Sequence, residues 1–244
     1  MKTILLAVGT MILAGVGWRI VTHSSHHIID IEATAAFDVT DPMLAQPIVS
    51  DILSNVGLKE DKWLGVQINT TVINGYDYNP LQSAVLAQRH FLLANPKERN
   101  KEVQLFNREL IANVETIKKQ ASMLPQSSIY KYLISESTRL SRSAASKKKF
   151  FIYSDLQENS ALFSVYKQKD FLLLKNHPDK VKELFLNFEK PANLQGVEMH
   201  FIFQAQSLTA NENFSLMSHL MKKIFTDAGA KVWIEANLIV SQQK

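Results

Sequence analysis

The chain has 244 residues, of which 46% are hydrophobic and 20% charged, and its net charge is +4. This composition is typical of a globular protein with a sizeable core, and the small net charge argues against a dedicated nucleic-acid surface. The absence of Cys excludes disulfides, thiolate metal sites, cysteine nucleophiles and the acylated cysteine of a bacterial lipoprotein.

The N-terminus carries an uncharged run over residues 4–18, preceded by Lys2 and followed by Arg19. As a helix these residues would be about 22 Å long at ~1.5 Å per residue, which is shorter than the roughly 30 Å hydrocarbon core unless the helix continues past Arg19. Residues 1–22 are therefore predicted to be a membrane anchor or a cleaved signal peptide, with a buried core helix as a third alternative. Residues 23–30 are predicted to be a linker.

From residue 31 onward the pattern predicts alternating strands and helices. Small, aromatic and β-branched residues predict a buried strand over residues 33–37. A helix is predicted to begin near Pro47, with Ile52 and Val56 in its apolar stripe. Residues 63–73 alternate between apolar and polar types, which predicts a strand with one polar side.

Residues 81–140 have the apolar spacing of helices, and breaks near Pro96 and Pro125 divide them into three predicted helices. The third leads into a basic stretch over residues 139–149. This stretch either contacts phosphate or anionic lipid, or is a solvated helix end. Aromatic residues then predict a second buried strand over residues 150–153.

The last third of the chain continues the alternation. Residues 181–188 predict a short helix and residues 197–203 a strand. Residues 209–212 have the form of a capping box, which predicts the start of a helix that ends at a Gly229 cap before a last strand over residues 231–239. The whole order predicts an α/β fold: one domain over residues 31–244 with a doubly wound, mostly parallel, Rossmann-like sheet and helices on both faces.

Acidic segments follow the two predicted buried strands. Asp38-Val39-Thr40-Asp41-Pro42 follows the first strand, and Ser154-Asp155 follows the second. Because ligands of a doubly wound sheet bind outside the carboxyl ends of its strands, where strand order reverses, both segments are predicted to lie at one site. Separated carboxylates at such a place suggest a divalent cation. No Gly-rich fingerprint follows the first strand, which argues against a nucleotide binder.

These segments resemble the metal-ion-dependent adhesion site of the von Willebrand factor A-like (vWA-like) family. That site combines Asp-x-Ser/Thr-x-Ser after the first strand, a Thr on a second loop and an Asp after the fourth strand. Asp38 and Thr40 match the first and third positions of the motif, and Asp155 matches the last Asp. Pro42 stands where the second hydroxyl belongs, and Asp41 is the candidate substitute for it.

Two serines are the candidates for the second-loop Thr, and residues 214–233 look like the closing helix and strand of bacterial members. The resemblance implies a protein-binding module rather than an enzyme. It also implies Mg²⁺ as cofactor, with Mn²⁺ or Ca²⁺ as substitutes, since Mg²⁺ takes oxygen ligands and leaves a position open for a partner's carboxylate. The implied metal ligands are Asp38, Thr40, Asp41, Ser127, Ser128 and Asp155.

The expected partners are a protein and, through residues 1–22, a membrane. The expected location is therefore the bacterial inner membrane, as an anchored protein, or the periplasm after export. No nucleic-acid partner is expected, and the oligomeric state stays open.

Two other functions fit the same residues. A metal-assisted hydrolase would use Asp38, Asp41 and Asp155, but no His lies close in sequence to either acidic segment and no Ser stands in a nucleophile elbow. A scaffold domain would keep only a vestigial metal site. In the purely structural alternative Asp38 and Asp41 cap the loop and the helix start, and Asp155 caps the next helix.

Overall fold

The computed structural model describes residues 28–38, 49–73, 80–119 and 127–238. The predicted anchor, most of the linker, Thr40 and Asp41 lie outside these residues. The described strands are β1 (Ile31–Asp38), β2 (Val66–Ile73), β3 (Gln82–Leu86), β4 (Lys147–Tyr153), β5 (Val197–Ile202) and β6 (Lys231–Glu235). The described helices are α1 (Val49–Asn55), α2 (Pro96–Lys119), α3 (Ile129–Ser141), α4 (Gln168–Asn176), α5 (Pro178–Phe188) and α6 (Leu208–Asp227).

The six strands form one sheet in the order β3-β2-β1-β4-β5-β6. All neighbouring pairs are parallel except β2 and β3, which are antiparallel. The chain winds outward from β1 in one direction and from β4 in the other, so strand order reverses between these two central strands. The predicted mostly parallel α/β sheet is confirmed.

Helices cover both faces of the sheet, as predicted. One face is covered by α1 and α2, whose buried side chains include Ile52, Phe106 and Leu110. The other face is covered by α3 to α6, and the predicted stripe of α6 is buried there: Phe214, Met217, Leu220, Met221, Ile224 and Phe225. At about 25 cal/mol per Å² of apolar surface removed from water, these two cores are the main source of stability.

Three helices were predicted over residues 81–140, and the prediction of the first is wrong. Residues 82–86 form β3, an edge strand in which Ala84 and Leu86 are buried while Ser83 and Val85 face solvent. Its backbone pairs with β2 over five residues. Five residues are too few for alternation to outweigh a helix-like apolar spacing, so here the tertiary pairing decides the structure.

Two helices also differ from prediction. Helix α4 lies in a stretch of weak periodicity and was not predicted. Helix α6 begins at Leu208, and its N-cap is Ser207, two residues before the first residue of the predicted capping box. The Ser207 side chain accepts a hydrogen bond from Ala210 N. Glu212, the expected capping-box acid, instead forms an ion pair with Lys175. At the other end of α6, Gly229 has the predicted left-handed conformation, with φ +100°.

The polar side of β2 is buried under α3. Asn69 donates to Glu32 on β1, and the guanidinium of Arg139 from α3 donates to Glu32 as well. The same guanidinium contacts Glu136 and the hydroxyl of Thr34. This network ties the last turns of α3 to the centre of the sheet, and because each carboxylate in it shares one cation, none is buried uncompensated.

A candidate site at the carboxyl edge of the sheet

Two of the predicted site segments meet where strand order reverses. Asp38 is the last residue of β1, and Ser154 follows the last residue of the neighbouring strand β4. The hydroxyl of Ser154 donates to Asp38 Oδ2 at 2.8 Å, and both side chains are buried. Asp38 and Ser154 are therefore in direct contact at the switch point of the sheet, the place where doubly wound folds bind their ligands.

Asp155 closes a tight turn beside them. One carboxylate oxygen accepts from Gln157 N at 2.9 Å and the other from Gln157 Nε2 at 2.7 Å. Between these residues Leu156 has φ +58°, a left-handed conformation that costs a non-glycine residue roughly 1–2 kcal/mol. The next helix begins only at Gln168, so Asp155 does not cap a helix and that part of the structural alternative is wrong.

The two serine candidates lie on a neighbouring segment. Ser127 exchanges two backbone hydrogen bonds with Asn159, at 3.2 and 3.0 Å, and its hydroxyl donates to Gln157 O at 3.3 Å. Ser128 is the N-cap residue of α3, but its side chain forms no cap hydrogen bond. The second-loop candidates thus border the segment that follows β4.

The side chain that caps the start of α3 is a carboxylate that the sequence did not reveal, that of Glu158. Glu158 is buried, and its Oε2 accepts from Tyr130 N at 2.8 Å in the first turn of the helix. Burial raises its pKa to about 7; hydrogen bonds from Ser160 and from the first turn of α3 oppose the rise, and the charge of Asp38 adds to it. The contact joins residues 28 positions apart, so no local sequence signal marks it.

The donors at this edge are of the kind that a hard cation prefers, since they are carboxylate and hydroxyl oxygens. As arranged, they bond to one another: the Ser154 hydroxyl donates to Asp38 and accepts from Leu156 N. Among the residues that the structure describes, no group of three or more His, Cys, Asp or Glu is arranged to hold a metal ion. Thr40 and Asp41, two of the six predicted ligands, lie outside that part of the chain.

Within the described ranges, none of the helices is both long enough and apolar enough to cross a membrane. The predicted anchor or signal peptide over residues 1–22 lies outside those ranges.

No family model and no curated protein matches the chain. Two solved structures from Bacteroides are similar to it. One is an aerotolerance-related membrane protein from Bacteroides fragilis with multiple mutations to serines, at 9% identity and a TM-score of 0.41 over 85% of this chain and 92% of that one. The other is BatB, a conserved hypothetical protein from Bacteroides thetaiotaomicron, at 10% identity and a TM-score of 0.37 over 85% and 90% of the two chains. At such low identity and TM-score the likeness does not bear on function.

Proposed function

We propose that this chain is a vWA-like protein-binding module, tethered to a membrane or exported, that engages its partner with the carboxyl edge of the sheet. The observation that carries the proposal is the contact between Asp38 and Ser154 at the point where strand order reverses. An edge of this kind presents loops from several strands on one rigid scaffold, which is the usual place for recognition in such sheets.

The turn after β4 supports a role in binding, rather than a purely structural role, for the carboxyl edge of the sheet. Leu156 is fully buried in a left-handed conformation, and the turn is held by hydrogen bonds to Ser154 and Asp155. Such strain persists only where the surroundings impose it, and it clusters at binding and active sites. The raised pKa of Glu158 beside this turn is a second perturbation of the kind that marks functional sites.

A divalent cation is the second part of the proposal. Asp38, Ser154 and Asp155 supply oxygen donors of the type that Mg²⁺ prefers, with Mn²⁺ or Ca²⁺ as substitutes. Such a cation would require further ligands from the segment after β1 that contains Thr40 and Asp41. When bound, the cation would supply a positive centre for a partner's carboxylate. The chain's own residues hold that edge in place through the Asp38–Ser154 contact and the Asp155 turn.

The test is thermal unfolding of the full chain in EDTA and then in excess Mg²⁺ or Mn²⁺. A ligand that binds only the folded state stabilises it by about 2.7 kcal/mol at roughly one hundred times its dissociation constant. We expect stabilisation in the wild type and none in Asp38→Asn or Asp155→Asn. Glu60→Gln is the matched control, because Glu60 is an exposed carboxylate at the opposite edge of the sheet.

Capture of proteins from the source membrane, with the same three variants, tests partner binding. Loss of captured proteins in Asp155→Asn but not in Glu60→Gln would support the binding edge. An unchanged melting temperature in EDTA and Mg²⁺ would contradict the cation and leave a scaffold with a vestigial site. Turnover of esters or phosphoesters that depends on the cation and on Asp38 would favour the hydrolase instead.

A further inference from the structure

The connection between β3 and α2 exposes three consecutive apolar side chains. Phe91, Leu92 and Leu93 are 60%, 73% and 87% exposed. Scattered single apolar residues are normal on a protein surface, but a contiguous group marks an interaction site. We call residues 91–93 the apolar loop.

The apolar loop is held in place by hydrogen bonds. Arg89 N donates to Trp63 O at 3.0 Å, and Leu93 N donates to His90 O at 3.0 Å. The buried guanidinium of Arg99 donates to three backbone carbonyls, that of Ala87 just before the loop and those of Lys62 and Leu64 in the segment before β2. The exposure of these side chains is therefore imposed by a braced backbone and is not that of a loose chain end.

The N-terminal segment joins the domain beside the apolar loop. The carbonyl of Ile28, the first described residue, accepts from Gln88 N at 3.2 Å. This approach is so close that a Cβ on Gly65 would lie 2.1 Å from Ile28 O, so only glycine fits. Eight residues separate Arg19 from Ile28, and at roughly 3.3 to 3.6 Å per residue an extended connection reaches about 30 Å. The chain connection therefore keeps the uncharged run over residues 4–18 within about 30 Å of this edge of the sheet.

The same amino edge has a basic sector beyond the loop. Arg142, Lys147 and Lys231 are exposed there and form no ion pair within the described residues, whereas Glu198 is paired with Lys149 at 2.8 Å. Around the loop itself the exposed charges balance, with Lys59, Lys97 and Lys101 against Glu60, Asp61 and Glu98. Basic side chains on the same edge as an apolar loop fit the surface of a membrane that contains anionic lipid.

We propose that the amino edge of the sheet docks on an anionic lipid surface. The apolar loop inserts at the boundary between headgroups and acyl chains, and the basic sector contacts the headgroups. The carboxyl edge with Asp38 then faces away from the membrane, toward a partner. The inference rests on the membrane tether of the proposed function and is independent of the cation site.

The test uses the full chain in vesicles of phosphatidylcholine and phosphatidylglycerol in equal amounts, with nitroxide-labelled acyl chains. Because the chain has no cysteine, Leu93→Cys provides a unique position for an environment-sensitive dye. Leu208→Cys is the matched control, since Leu208 is 90% exposed at the start of α6, on the carboxyl edge. We expect the dye at position 93 to shift to the blue and to lose most of its emission by nitroxide quenching, and the dye at position 208 to do neither. In the protein labelled at position 93, the additional substitution Leu92→Glu should restore the emission. The additional substitution Leu208→Glu in the same labelled protein is the control and should not.

Flotation of the vesicles reports the tether, and quenching reports the docking. Flotation without quenching at position 93 would overturn the docking and leave the tether standing. A chain that does not float would overturn both. Quenching at both positions would refute the orientation. A blue shift without nitroxide quenching would mean that residues 1–27 or a second copy of the chain covers the loop, which also overturns the proposal.

Discussion

Two buried glutamates at opposite ends of α3 are stabilised in different ways. Glu32, near the end of the helix, accepts from Arg139, Ser143 and Asn69. Burial alone would raise its pKa, but these hydrogen bonds and the charge of Arg139 together hold the pKa below its ordinary value. Glu158, at the start of the helix, has backbone N–H donors in place of an arginine, and burial raises its pKa to about 7.

The difference separates a carboxylate that stays ionised from one that titrates near neutral pH. The interior carboxylate is kept ionised by a cation, so it fixes α3 on the sheet at every physiological pH. The carboxylate at the carboxyl edge changes its protonation close to neutrality, within electrostatic reach of Asp38. Carboxylates whose pKa burial raises in this way are often found at binding and catalytic sites.

The largest effect is expected from Arg139→Ala, which leaves Glu32 and Glu136 without their common cation. Removing one partner of a buried pair costs about 3–5 kcal/mol. The lower end of that range is expected because the Arg139 side chain keeps 36% of its surface exposed. The urea unfolding midpoint measures the loss. Arg142→Ala, at an exposed neighbour, is the control and should stay within about 0.5 kcal/mol. Equal losses in the two variants would mean that the arginine does not anchor the interior end.

The next effect is a pH dependence at the other end of the helix. Between pH 4.5, the ordinary value for Glu, and about 7, folded Glu158 keeps a proton that the unfolded chain has released. The contribution of this group to stability is therefore complete below pH 4.5 and is lost as the pH rises to about 7, by on the order of 3 kcal/mol. Glu158→Gln keeps an acceptor for Tyr130 N and removes the titration.

Urea unfolding of the wild type and of Glu158→Gln across this pH range checks the prediction. The variant should lose less stability than the wild type, and the exposed Glu183→Gln should behave like the wild type. A slope that Glu158→Gln leaves unchanged would assign the pH dependence to other groups.

The sequence predicted the elements whose patterns are long. The stripe of α6 and the buried strands β1 and β4 could be recognised because burial repeats over many residues. The convergence of Asp38 with Ser154-Asp155 was predictable too, since parallel strands end at the same edge of a sheet. The five-residue strand β3 was not predictable, because its apolar spacing also fits a helix and the pairing with β2 is a tertiary fact.

The charge environment of the site could not be derived from the sequence. Arg139 meets Glu32 across 107 positions, and Glu158 meets the start of α3 across 28. Neither pair can be recognised from neighbouring residues in the sequence, because both contacts depend on how α3 packs on the sheet. Residue types and strand order therefore predicted the edge at which the acidic segments meet, but the raised pKa of Glu158 there follows only from the fold.

The smallest effect is expected from a pair of serines that are matched in structure. Ser143 donates to Glu32 and accepts from Ala145 N, two residues later. Ser154 donates to Asp38 and accepts from Leu156 N, also two residues later. Since each hydroxyl bonds a buried carboxylate, Ser143→Ala and Ser154→Ala should each cost about 2 kcal/mol, as for a hydrogen bond to a charged group.

The two variants separate stability from binding, because their losses should be similar while their responses to Mg²⁺ should differ. If a cation binds at the carboxyl edge, removing the Ser154 hydroxyl changes the oxygen donors beside Asp38, so the Mg²⁺-induced rise in melting temperature should fall in Ser154→Ala and persist in Ser143→Ala. Thermal unfolding of both proteins in EDTA and in Mg²⁺ measures this. A response reduced equally in both would mean that Mg²⁺ acts on general stability. A full response in both would place the cation away from Ser154 and would remove the hydroxyl from the proposed site.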